Sequence, residues 1–125
     1  MHKVLEHEEG HSITVSTVSD GGKNTVLLVS GVVDTQGEPV SFDIIDLTRM
    51  HGAPKGIRLD SLSYLVEVGL KARLSYREFP YVLPFEGRGK FDLNVAGGIQ
   101  GSEIDLSLVG KGAFFLVLDL SKMGV

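Results

Sequence analysis

The chain of 125 residues has no cysteine and no tryptophan, and only four histidines and four prolines. Without cysteine there is no disulfide, thiolate nucleophile, zinc knuckle or iron–sulfur cluster, so any chemistry must come from oxygen or imidazole groups. Aromatic residues make up 7%, which leaves few flat platforms for stacking on sugar faces. Basic residues are not in excess either: 12 Lys+Arg stand against 16 Asp+Glu, a net charge of -4. No cationic field exists to hold phosphate backbones, and nucleic acid is not an expected partner. The longest apolar run is Ala113–Leu118, far short of a membrane span. Met1–Gly10 contains no apolar stretch of signal-peptide length, so a soluble chain without a membrane partner is expected.

What the chain does have is 42% hydrophobic residues with 22% charged, the balance of one folded domain rather than a disordered segment. The apolar pattern is mostly of period two, broken by Gly, Pro, Asn and Asp clusters, which predicts an all-β domain. Ser12–Val18 alternates and is rich in β-branched residues, and Ser19–Asn24 supplies turn chemistry. Val26–Val33 and Ala113–Leu120 are apolar on both faces, the signature of strands covered on both sides. Ile57–Tyr76 also matches a helical spacing through Leu59, Leu62, Leu65 or Val66, and Leu70. Register favours a hairpin there: a loop at Val68-Gly69-Leu70 sets Glu67 against Lys71 and Leu65 against Arg73, and gathers Leu62, Tyr64, Val66, Ala72, Leu74 and Tyr76 on the other face. Val68 and Leu70 then lie exposed at the hairpin tip. Gly110-Lys111-Gly112 is read as a turn between two strands. The expected fold is a single-domain antiparallel β-sandwich or jelly-roll-like barrel of about eight strands over 11–125, preceded by an extended amino-terminal arm over 1–10.

Signals for chemistry are weak. His2, His7 and His11 with Glu6, Glu8 and Glu9 concentrate metal-ligand types, but not at the spacing of a preformed site. Gly87-x-Gly89-Lys90 and Gly110-Lys111-Gly112 lack the spacing and the following helix of a phosphate-binding loop. There is no Gly-x-Ser-x-Gly elbow, and a triad would have to use His51 or a histidine of the arm. No catalytic, cofactor-binding or metal residue is assigned, no cofactor is expected, and the chain reads as a non-enzyme. Excess apolar strand surface, Val4-Leu5 in a polar arm and an apolar hairpin tip instead favour permanent association. Val4, Leu5, His7, Val68, Gly69 and Leu70 are the candidate partner-binding residues.

Ile57–Tyr64, Leu83–Gly89 and Gly110–Lys122 resemble segments of the small all-β virion proteins of tailed bacteriophages, across roughly the carboxy-terminal half of the chain from Ile57. The resemblance implies a decoration, or cement, protein on the exterior of a capsid. Such a protein is made in the bacterial cytoplasm, binds the major capsid protein and bridges its subunits, here with self-association as a dimer or trimer. Met1–Gly10 corresponds to the terminal arm that adds to shell strands in such proteins. The alternative is a carbohydrate- or receptor-binding sandwich displayed on a virion or cell surface. A metal-dependent enzyme of the cupin kind would need a strand-borne histidine cluster that the chain does not show.

Overall fold

In a computed structural model the described residues are 2–8, 11–45, 47, 50, 52, 54–76, 82–93, 99–101 and 103–124, with the backbone course alone for 2–8, 11 and 99–101. They form ten strands: β1 (His2–Glu8), β2 (His11–Asp20), β3 (Asn24–Asp34), β4 (Val40–Asp43), β5 (Gly56–Val66), β6 (Leu70–Tyr76), β7 (Val82–Phe85), β8 (Arg88–Asp92), β9 (Ile99–Gly101) and β10 (Ile104–Met123). Every pairing is antiparallel. The all-β antiparallel architecture anticipated from the period-two pattern is the one the chain adopts.

The strands divide into two sheets that share β10. The larger runs β1-β2-β3-β10-β5-β8, with β9 pairing the other end of β5. The smaller runs β4-β10-β6-β7. Residues 104–110 of β10 belong to the smaller sheet and residues 111–123 to the larger. The passage between them occurs at Gly110 and Gly112, whose φ values of 114° and 152° are ones that L side chains rarely adopt. A Cβ on Gly110 would also overlap the Gly69 carbonyl. The expected turn at 110–112 is therefore a corner within one continuous strand: pairing persists through it, Gly110 opposite Leu70 and Gly112 opposite Val33.

The expected hairpin over 57–76 also takes a different form. β5 pairs with β10, β8 and β9, whereas β6 pairs with β10 and β7, so the Glu67–Lys71 and Leu65–Arg73 pairs do not form. The turn, closed by the Leu70 amide donating to the Glu67 carbonyl at 3.1 Å, carries the chain from one sheet to the other. The inward set survives this change because alternation belongs to each strand alone: Leu62, Val66, Ala72, Leu74 and Tyr76 are buried, and Tyr64 packs against the same cluster. That cluster fills the space between the sheets, with Leu59, Leu62, Leu116 and Leu118 from the larger and Leu74, Ile104 and Leu106 from the smaller.

Within the span expected as an arm, residues 2–8 run as a strand. β1 pairs with β2 from His2–Ser16 to Glu8–His11, with a register shift between Val4 and Glu6, and forms the edge of the larger sheet.

Candidate docking surfaces

The inner face of the larger sheet is consumed by the core, and its outer face carries the residues available to a partner. Register places Phe115 between Ser30 of β3 and Leu65 of β5, and Leu65 next to Arg88 of β8. One row along, Val117 lies between Leu28 and Ser63; in the other direction Ala113 is opposite Val32. Val32 is 55% exposed, Leu65 54% and Phe115 46%. These three large apolar side chains on adjacent strands, with Leu28 and Val117 half-buried among them, form a patch that no described residue covers. The sequence signal for it was present: strands apolar on both faces. Such strands are expected to be central or capped by a partner, and among the described residues the second face of β3 and β10 leaves Val32 and Phe115 exposed.

Towards the far end of the same face the surface turns polar. The register shift after Asp119 makes Asp60 the extra residue of a bulge in β5. Arg58 Nε donates to Asp60 Oδ1 at 2.7 Å and Arg58 Nη2 to Ser121 Oγ at 3.2 Å. The Ser121 hydroxyl donates to the second Asp60 oxygen. Ser61 Oγ donates to Asp119 Oδ2 at 2.8 Å. Each hydroxyl is thus oriented into a carboxylate, and among the described side chains no imidazole adjoins either serine to activate it. A polar cleft of about 410 Å³ beside this network is lined by Lys23, Asn24, Arg58, Ser121 and Lys122. Two of its three cations are already engaged, Arg58 by Asp60 and Lys122 by Asp20.

The candidate partner-binding residues fall in separate places. Val4, Leu5 and His7 belong to β1 at the edge of the larger sheet. Val68 stands at the tip of the inter-sheet turn, 96% exposed, beside the exposed Gly69 with its φ of 98°. Leu70 is corrected: at 1% exposure it is core, because β6 begins there and its inward phase is that of Ala72 and Leu74. His51 lies outside the described residues, and of His11 only the backbone is described. Among the described residues no three His, Cys, Asp or Glu side chains gather as metal ligands. No helix is long and apolar enough to cross a membrane.

No family model matches the chain, and no curated protein matches it. Among solved structures, a cupin superfamily protein from Desulfitobacterium hafniense DCB-2 is similar, with a TM-score of 0.42 and 13% identity over 94% of this chain and 84% of that one. A likeness this loose carries no argument about family or activity.

Proposed function

We propose that this chain is a non-enzymatic virion structural protein that decorates the exterior of a phage capsid and stabilises it by bridging major capsid subunits. The observation that supports the reading is the exposed apolar patch of Val32, Leu65 and Phe115 on the outer face of the larger sheet. A patch of this kind on a small domain is a liability in a free monomer and an asset in an assembly, where its burial contributes roughly 25 cal/mol for each Å² removed from water. The multi-stranded face suits a broad protein surface, and Val68 offers a second apolar point at the turn. On a lattice of many copies each contact can be weak, because multivalency sums them.

The test is the native mass of the purified chain by light scattering, followed by mixing with phage capsids stripped of their small outer proteins. Saturable binding that raises the heat resistance of the shells is the expected result, with Leu65→Ser and Phe115→Ser weakening it while leaving the fold intact. A stable monomer that ignores every shell offered overturns the reading.

A further inference from the structure

The outer face of the smaller sheet differs in kind from that of the larger. One transverse row carries Ser41, Ser107, Arg73 and Pro84, and the next carries Val109 and Lys71. The Ser41 and Ser107 hydroxyls bond to each other at 2.8 Å. Between Pro39, just before β4, and Pro84 on β7 lies a hollow of about 230 Å³, lined also by Ala72, Leu108 and Val109, with Lys71 and Arg73 in its wall. A second hollow of about 360 Å³ shares Lys71, Ala72 and Pro84 with the first and continues to Phe85 and Glu86. Together they make a groove that lies across the strands, the shape of a seat for an extended chain.

Size and charge narrow the occupant. The first hollow, of about 230 Å³, has room for a single anchoring side chain, and the second extends it along the sheet for the residues that flank it. Among the described residues neither the Lys71 ammonium nor the Arg73 guanidinium has a hydrogen-bonding or ion-pair partner, although the chain as a whole is acidic. Uncompensated cations beside an apolar floor complement carboxylates flanking an apolar residue. Among the described residues Glu86 is the one acid lining the groove and sits at its Phe85 end, so carboxylates are accepted at the Arg73 end.

We propose that this groove binds an extended acidic segment of a partner protein, with one apolar side chain entering between Pro39 and Pro84 and flanking carboxylates meeting Lys71 and Arg73. Resting on the capsid reading above, the segment belongs to the shell protein. The groove then supplies a second attachment on the face opposite the apolar patch, which is what bridging requires.

The full-length protein, labelled with nitrogen-15, is titrated with a synthetic peptide of about ten residues, glutamates around one central phenylalanine. Two control peptides replace the glutamates by lysine or the phenylalanine by serine. Expected are amide shifts at Lys71, Ala72, Arg73, Leu108 and Val109, with binding about tenfold weaker for either control and for the Lys71→Glu/Arg73→Glu protein. Both side chains are exposed, so this variant retains the wild-type spectrum elsewhere. Equal binding of the lysine peptide, or no shifts in the groove, overturns the proposal. Shell binding separates the two readings. If wild-type protein binds shells and the double variant binds them equally well, the groove proposal falls and the capsid reading stands. If neither binds shells but the glutamate peptide still maps to the groove, the capsid reading falls and the groove remains an acidic-peptide site.

Discussion

Thr35 holds Gly110 through both of that residue's backbone polar groups: its amide donates to the Gly110 carbonyl at 2.9 Å, and its hydroxyl accepts from the Gly110 amide at 2.7 Å. The pair sits where β10 leaves the smaller sheet for the larger. A corner in a continuous strand strands backbone groups that a straight ladder would satisfy, and buried groups of that kind must find partners. Thr35, itself buried just past the end of β3, provides them. The Lys111 amide reaches the Gly69 carbonyl at 3.4 Å, so the inter-sheet turn is tied to the same point.

Replacing Thr35 with Val keeps the shape and removes the acceptor, leaving the Gly110 amide without it. The expected loss is about 1–2 kcal/mol in urea denaturation. Gly110→Ala is expected to cost more, about 3 kcal/mol, because it combines the positive φ with a Cβ directed at the Gly69 carbonyl. Equal, small losses for the two variants would show that the corner is not held in this way.

Val68 and Leu70 flank one glycine yet belong to opposite environments. Val68→Ser is expected to change stability by no more than about 0.5 kcal/mol, as for other surface substitutions. Leu70→Ala, at a fully enclosed position, is expected to cost about 2–5 kcal/mol through lost burial and the cavity left behind. Thermal melts of the two single variants under identical conditions decide it.

These two residues also show how far the sequence could be read. Strand alternation is local, so the inward phase of Leu62, Val66, Ala72, Leu74 and Tyr76 was legible without knowing which strands pair. Pairing is not local. A three-residue connection that permits a hairpin also permits a crossing between sheets, and only the competing claims of β10 on β5 and β6 decide between them. The same competition concealed the corner at Gly110, since Gly-Lys-Gly serves a turn or a bend equally well. The outer patch was half legible. Two-sided apolar strands signalled burial of both faces, but nothing in a single sequence says whether the second cover comes from the same chain.

Tyr76 gives the domain an alkaline liability. Its ring is in the core, and burial pushes the phenol well above its ordinary value of 10.0 by disfavouring the charged form. The unfolded chain ionises at the ordinary value while the folded chain does not. Stability from this group is therefore complete below about pH 10 and falls above it by about 1.4 kcal/mol per pH unit. Tyr76→Phe removes that decline. Urea denaturation of both proteins between about pH 9 and 11 should give curves that diverge only above pH 10, and parallel curves would place the phenol in water.

Lys122 is a cation with a fully enclosed side chain near the end of β10, donating to Asp20 Oδ1 and to the Gly21 carbonyl, both at 2.5 Å. This bond ties the β2–β3 loop to the last residues of β10, with the Lys122 amide also donating to the Lys23 carbonyl at 2.7 Å. The partners are unequal, because Asp20 retains some contact with water and the ammonium has none. Removing the carboxylate takes the counter-ion from a desolvated charge that keeps the Gly21 carbonyl, whereas removing the ammonium leaves a carboxylate that water can reach. Asp20→Asn is therefore expected to destabilise by about 3 kcal/mol, and Lys122→Met by less, since its stem is already packed and the methionine replaces it in kind. The reverse order in chemical denaturation would mean that the ammonium is solvated in the folded chain.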